Sequence, residues 1–368
     1  MQQKVIIAGG GTGGHIFPAV AIGHALQRMQ PGIELLFVGA NGKMEMEKVP
    51  QEGFRIVGLD IAGFNRSNML KNILLPIKLI RSAWKARGIV RDFKPDVVIG
   101  VGGYASFPVL NAAQAKGIPT LIQEQNSFAG KSNKILGKKA KAICVAYEGM
   151  QQFFPADRIR LTGNPVRHMI ANSTCTRQQG MDFFGLNATA KVVLVVGGSL
   201  GAKSINEAIN KDLEQIIQDG TQVIWQTGKP YFEQAKQRAA AFGTQVKVFD
   251  FIREMDKAYA TADLVISRAG ALAIAELCIV AKPVIFVPYP YAAEDHQTSN
   301  AMALVNKQAA MLVKDDKASA ELVAALKELK QDEARQQEMN KNLQQIAIKD
   351  ADERIAHYIM NLATGKER

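Results

Sequence analysis

Twice in this chain a run of Val and Ile ends in glycine and passes straight into a helical pattern. The first instance is "KVIIAGGGTGGHIFPAVAIGHAL", from Lys4 to Leu26, and the second is "KVVLVVGGSLGAKSINEAI", from Lys191 to Ile209. Apolar runs without polar alternation suit strands covered on both faces. Each opening is followed by more such runs: "IELLFVG", "DVVIGVGG", "TLIQEQ" and "KAICVA" after the first, and "TQVIWQTG", "VKVFDFI", "ADLVISRAG", "KPVIFVPYP" and "AAMLV" after the second. Helix-length segments between them imply right-handed crossovers and parallel sheets. The pattern predicts an α/β protein with two doubly wound parallel-sheet domains in tandem. Ligands of such sheets bind beyond the carboxyl ends of the strands, so the expected site is a cleft that the two sheets face. The join falls near "LTGNPVRHMI", where Asn164-Pro165 interrupts any helix. The expected limits are 1–164, 165–340 and a charged C-terminal helix, 341–368, that packs back on the first domain.

A chain of 368 residues with 47% apolar residues can build two cores of ordinary size. No apolar run reaches the roughly 18 residues of a membrane span. Met1-Gln2-Gln3-Lys4 leads straight into a strand-like run, so no signal peptide is expected. Cys144, Cys175 and Cys278 form no metal or redox spacing and are expected as reduced thiols. The formal net charge of +11 calls for an anionic partner: nucleic acid, a membrane surface or a phosphorylated substrate.

The glycine turns narrow the choice. Backbone without Cβ can approach a ligand, and the helix that follows offers N–H groups and a positive dipole end to an anion such as phosphate. Gly9, Gly11 and Gly14 match G-x-G-x-x-G, but the second strand ends "FVGANGK" without the acid that a dinucleotide site needs. No phosphate-binding G-x-x-x-x-G-K-[ST] occurs. Three glycine-rich strand ends, at 9–14, 197–201 and 267–272, are more than tight turns alone require.

In order and spacing, "GGTGGHIFPA", "GGYASFPVLNAA", "QEQNSFAGKSNKIL", "TGNPVR", "GGSLGAKSIN", "SRAGALAIAE" and "DHQTSNA" resemble the MurG family. The resemblance runs from about residue 4 to residue 310. It implies the GT-B architecture, two Rossmann-like domains facing a cleft. It also implies an inverting transferase that moves N-acetylglucosamine (GlcNAc) from UDP-GlcNAc to the C4 hydroxyl of the lipid I muramyl sugar, giving lipid II for peptidoglycan. No cofactor and no structural metal are expected. Asp350-Ala351-Asp352 matches the metal-binding D-x-D literally, but it lies in the charged C-terminal helix and reads as a solvated face.

The same resemblance assigns roles. On the donor side, Ser199 and Arg167 meet the diphosphate, and guanidinium suits phosphate. The Ile252 backbone pairs with the uracil edge. Ala271, Leu272 and Ala273 offer helix N–H groups, Glu276 accepts the ribose hydroxyls, and Gln297 contacts sugar or phosphate with His296 and Asn300 close by. An unpaired Glu within "AGALAIAELCIV" is costly, which favours a ligand role for Glu276. On the acceptor side, Thr12, Gly13 and Gly14 form a diphosphate-type turn. Asn126 holds the donor sugar's hydroxyls, and Tyr104 lines the acceptor groove. His15 is the expected general base, because imidazole can take a proton near neutral pH.

Residues 66–94, "RSNMLKNILLPIKLIRSAWKARGIVRDFK", carry eight basic residues against one acid, interleaved with apolar ones. Such a surface can insert shallowly and attract anionic lipid. Taken with the resemblance, which implies a prenyl-anchored acceptor, the expected location is the cytoplasmic face of the bacterial inner membrane, as a peripheral protein, and the resemblance also implies other cell-wall synthesis proteins as partners. Nucleic acid is not expected, since no binding signature accompanies the charge. The alternatives are another GT-B lipid glycosyltransferase and a UDP-GlcNAc epimerase. An NAD-dependent oxidoreductase and a noncatalytic scaffold fit the motifs less well.

Overall fold

The computed structural model describes residues 2–61 and 75–366. The chain divides into two units, one of 1–167 together with 349–368, the other of 168–348.

In the first unit the strands are β1 (Lys4–Ala8), β2 (Glu34–Ala40), β3 (Ile56–Leu59), β4 (Val97–Gly100), β5 (Thr120–Glu124), β6 (Ala142–Val145) and β7 (Ile159–Leu161). They pair in parallel in the order β3-β2-β1-β4-β5-β6-β7. The chain steps outward from β1 to β3, then returns to place β4 on the other side of β1. Alternate residues of β1 enter different cores. Ile6 and Ala8 pack with Leu36, Val98, Leu110 and Ile122. Val5 and Ile7 pack with Ile16, Leu26, Phe37 and Ile99. Both faces are apolar, which is why the strand shows no period-2 pattern in sequence.

The helix Ala351–Ala363 completes the second of these cores with Ile355, Ala356, Ile359 and Leu362. Arg28 clamps it through Asp352 at 2.8 Å, and Arg160 lies over the Tyr358 ring. Asp350 pairs with Arg354 at 2.9 Å, so both D-x-D carboxylates hold arginines.

In the second unit β8 (Val192–Val196), β9 (Gln222–Gln226), β10 (Val246–Phe249), β11 (Leu264–Ser267), β12 (Val284–Phe286) and β13 (Met311–Leu312) pair in parallel. Their order is β10-β9-β8-β11-β12-β13. Trp225 is fully buried, and its indole N–H donates to Asn206 Oδ1 at 3.0 Å.

The unit limits differ in detail from the sequence reading. Residues 165–167 stay with the first unit, because Asn164 is tied to it by bonds from Gln123 and to the Gln125 carbonyl. Residues 341–346 stay with the second, as the end of the helix Glu333–Ile346, whose Met339 is part of that unit's core. The chain breaks at Ala347, in an extended conformation, before the last helix starts.

Candidate active site

In the first unit the candidate site lies where the sheet order reverses, at the carboxyl ends of β1 and β4. Such switch points are where open α/β sheets bind ligands. After β1 the chain runs through Gly9–Thr12 into the helix Gly13–Met29. Thr12 is its N-cap in an extended conformation, and its carbonyl accepts from the amides of His15 and Ile16. The turn after β4 interlocks with this loop. Gly10 N–H donates to Gly102 O at 3.2 Å, and a Cβ on Gly103 would sit 2.1 Å from Gly10 O. Only glycine permits that approach.

His15 lies within this junction. Its Nδ1 is 3.1 Å from Gly10 O and 3.3 Å from Thr12 Oγ1. A Cβ on Gly102 would fall 2.8 Å from His15 Nε2, so the imidazole lies flush against the second turn. Tyr104 is half exposed beside Gly11. Under the loop is Glu45, 1% exposed, which sequence reasoning missed. Its Oε2 accepts the Gly11 N–H and its Oε1 the Ala40 N–H, each at 2.9 Å.

At the end of β5, Glu124 holds Asn126. Its Oε1 accepts from the Asn126 amide at 3.1 Å and from Asn126 Nδ2 at 3.3 Å. Its Oε2 accepts from Asn133 Nδ2 at 2.8 Å and from Gly130 N–H at 3.1 Å. Burial pushes the Glu124 carboxyl up in pKa, and these bonds oppose the shift. Gln125 Nε2 donates to Val101 O at 2.7 Å, tying β5 to the β4 turn. The strand ends therefore bring His15, Thr12, Gly13 and Gly14 to one edge of the sheet, with Asn126 on the neighbouring turn. Arg167, half-buried, closes the unit.

The second unit repeats the arrangement. The turn Gly197–Gly201 follows β8 and leads into the helix Lys203–Lys211. It locks against the turn after β9, where a Cβ on Gly228 would lie 2.3 Å from Leu200 O. Gln226 joins three segments: its Nε2 donates to Gly198 O at 3.0 Å, and its Oε1 accepts from Ile252 N–H at 2.8 Å. Ser199 stands in the first of these turns, and Ile252 is buried at the end of the third.

Across the switch point, β11 ends in Arg268-Ala269-Gly270, and the helix Ala271–Val280 begins in the extended backbone of Gly270 with no side-chain cap. Ala271, Leu272 and Ala273 form its first turn, at the positive end of the helix dipole. Glu276 is 5% exposed on this helix and receives the Tyr259 hydroxyl at 3.2 Å.

Arg268 was not singled out in sequence, and its role is structural. Its guanidinium donates to the carbonyls of Val287 and Pro288 and pairs with Asp315. Gln297 Oε1 accepts the Tyr289 N–H at 3.0 Å, which ties the loop after β12 to the helix His296–Val305. Glu294 and Asp295, just before that helix, both adopt positive φ, at 56° and 51°. Such non-glycine conformations cost about 1–3 kcal/mol each and cluster at functional sites. Asn300, on that helix, is fully buried, with Nδ2 3.5 Å from Ala269 O.

The helix Leu75–Phe93 carries the described part of the basic, apolar segment, and residues 66–74 lie outside the described residues. Ser82, Ala86 and Val90 face inward, with Ser82 Oγ donating to Asp60 O at 3.0 Å. Ile80 and Trp84 are exposed, the latter by 72%, among Arg81, Lys85 and Arg87. Among the described residues no helix is long and apolar enough to cross a membrane.

Comparison with known proteins fits this geometry. Residues 5–145 match the glycosyltransferase family 28 N-terminal domain and residues 192–355 its C-terminal domain. Two parallel Rossmann-like sheets with these matches define a glycosyltransferase of the GT-B class. A Cytophaga hutchinsonii protein named UDP-N-acetylglucosamine–N-acetylmuramyl-(pentapeptide) pyrophosphoryl-undecaprenol N-acetylglucosamine transferase is 53% identical over 359 residues, covering 98% of this chain and 96% of its own. The Bacteroides fragilis protein of the same name is 51% identical over 364 residues, with the same coverage of both chains. The crystal structure of Acinetobacter baumannii MurG is 31% identical, with a TM-score of 0.80 over 98% of this chain and 99% of that one. The chain belongs to the MurG family.

Proposed function

We propose that this protein is an inverting hexosyltransferase that moves N-acetylglucosamine from UDP-GlcNAc to the C4 hydroxyl of the muramyl sugar in lipid I, yielding lipid II for peptidoglycan. The observation that carries this reading is the pairing of two unlike switch-point sites in one chain. One presents an imidazole on a glycine turn, and the other a buried carboxylate on a helix that starts at a glycine turn. Relatives about half identical over their whole length bear the name of this reaction.

The second unit is assigned the donor. Ser199 and the first-turn amides of the helices after β8 and β11 receive the diphosphate, supported by their dipoles. Arg167 adds a cation for the same group. Ile252 gives its N–H to Gln226, so its carbonyl is the group it offers to the uracil imide. Glu276 accepts the ribose hydroxyls, and Gln297 Nε2 donates to sugar or phosphate. Preorganised donors of this kind stabilise UDP as charge develops on it. The first unit is assigned the acceptor. Thr12, Gly13 and Gly14 cradle its diphosphate, Tyr104 lines its groove, and Asn126, held by Glu124, turns its carboxamide to the transferred sugar. Gly10 O can only accept, so His15 donates to it from Nδ1, and Nε2 carries the lone pair that takes the acceptor proton.

The exposed Trp84–Ile80 face with its arginines and lysines suits contact with an anionic bilayer, where the prenyl-linked acceptor resides. Trp225 is buried. The fluorescence change on adding anionic vesicles therefore reports Trp84, and a blue shift is expected with anionic but not zwitterionic lipid. An equal response to both contradicts electrostatic docking.

The reaction is tested by UDP release from UDP-GlcNAc with and without a lipid I analogue. Acceptor-dependent release with a disaccharide-lipid product is expected. Release without acceptor would instead favour an epimerase, and donor binding without release would point to a different lipid acceptor.

A further inference from the structure

We propose that Glu45 is a positioning residue for this reaction, acting on His15 through the Gly10–Gly11 peptide group as a carboxylate–peptide–imidazole relay. The inference rests on His15 being the base.

The relay follows from which atoms share one peptide plane. The Gly11 N–H, bound by Glu45 Oε2 at 2.9 Å, and the Gly10 C=O, 3.1 Å from His15 Nδ1, belong to the same amide. A carboxylate on the N–H polarises that amide and strengthens its carbonyl as an acceptor. A stronger acceptor holds the proton on Nδ1 and leaves the lone pair on Nε2. Glu45 thereby selects the tautomer, orients the ring and raises its basicity with no direct contact.

The surroundings are built for this. A Cβ on Gly10 would lie 2.3 Å from the Glu45 carboxyl carbon, and one on Gly39 would lie 2.5 Å from Glu45 Cγ. Those two glycines make the space the side chain fills. A buried carboxylate is costly unless its oxygens are hydrogen-bonded, and both oxygens of Glu45 accept backbone N–H groups. His15 also stands in the first turn of a helix, where the dipole disfavours imidazolium. The negative charge of Glu45 opposes that effect. Of the titratable side chains, Glu45, from the helix Glu45–Gln51, lies against Gly10, and Tyr104, from the turn after β4, lies beside Gly11.

In the reaction the acceptor oxygen bonds to the anomeric carbon, and the bond from that carbon to the UDP oxygen breaks, its electron pair leaving with UDP. The hydroxyl proton passes to His15 Nε2 while Nδ1–H stays on Gly10 O. Water then takes the proton from Nε2.

The test combines ¹⁵N spectra of the histidine rings with the pH profile of kcat/KM in wild type and Glu45→Gln, with the His15 signals assigned by their loss in His15→Ala. Neutral His15 in wild type is expected as the Nδ1–H tautomer. In Glu45→Gln the His15 pKa is expected to fall by about half a unit or more, because imidazolium loses a nearby negative charge. The acid limb of kcat/KM should move down with it, and turnover should fall about tenfold or more, while the UDP-GlcNAc Kd stays within about twofold. An Nε2–H tautomer in wild type overturns the relay, even if Glu45→Gln does not fold. Lost turnover with an unmoved pKa and pH profile also overturns it, leaving Glu45 as loop packing alone. Near-normal turnover in His15→Ala removes the base itself, and the relay's catalytic role with it. An inactive His15→Ala beside an unmoved imidazole in Glu45→Gln removes the relay only.

Discussion

At the scale of single residues, the proposed ligand role of Glu276 rests on what the residue costs the fold. A carboxylate 5% exposed on the helix "ALAIAELCIV", which receives the Tyr259 hydroxyl, is costly to bury, and replacing such a charge is often neutral for the fold. Removing its charge therefore weakens the ligand more than the protein. Glu276→Gln is expected to raise the UDP-GlcNAc Kd about tenfold or more, as loss of hydrogen bonds to a charged group implies, with the unfolding midpoint unchanged or higher. Calorimetric titration and a thermal melt on the same sample check this, and a large drop in midpoint with unchanged Kd makes Glu276 structural. His15 and Glu276 were legible because an imidazole beside a glycine turn and an acid within an apolar helix break a local pattern. Glu45 breaks none. In "GKMEMEKVP" it is one of two acids on a short charged helix, and its burial depends on Gly10 and Gly39, which only the folded sheet brings to it. Arg268, which the sequence reading did not single out, is the opposite case. An arginine in a glycine turn suggests phosphate, yet its charge is taken by Asp315 from a distant part of the chain.

At the scale of elements, the doubly wound order was readable because each strand is an unbroken apolar run and each switch-point turn is glycine-rich. Polar contacts between elements were not. Lys330, 8% exposed on the helix Ala318–Gln331, places Nζ 2.7 Å from Asp219 Oδ2 and 3.3 Å from Ile216 O. Burial alone would raise the Asp219 pKa, but the bonds from Lys330 and Thr221 outweigh it and bring the carboxyl down to about 2. A folded-state pKa below the ordinary carboxylate value adds stability that is full above that value and is lost as pH falls through about 2. Asp219 is half exposed, so Asp219→Asn should cost only about 1–2 kcal/mol at pH 7. Wild type and variant should converge near pH 2. Urea melts across that range test the sign, and a difference that persists at low pH rules out the ion pair as its source.

At the scale of the whole molecule, the sequence indicates two domains but places the end of the second at 340, where the structure has it at Ile348. Composition gives one charged, helical stretch from about Ala318 onward. Only packing separates the helix Glu333–Ile346, which stays with the second unit, from Ala351–Ala363, which returns to the first. Ile355, Ala356, Ile359 and Leu362 fill the core beside Val5 and Ile7. Each large aliphatic lost from a core costs about 2–5 kcal/mol, and a domain has roughly 5–15 kcal/mol in all. Truncation after Ile348 is therefore expected to unfold the first unit and spare the second. Hydrogen exchange would then show lost protection in β1 and β4 with β8 and β11 unchanged; retained protection in β1 contradicts the assignment.

The proposed division of labour between a donor-holding unit and a base-bearing unit can be measured directly in His15→Ala, by donor affinity and acceptor-dependent turnover on one preparation. A UDP-GlcNAc Kd within about twofold of wild type, with turnover reduced about a hundredfold or more, is the expected result. Near-normal turnover, or loss of donor affinity equal to the loss of rate, would contradict it.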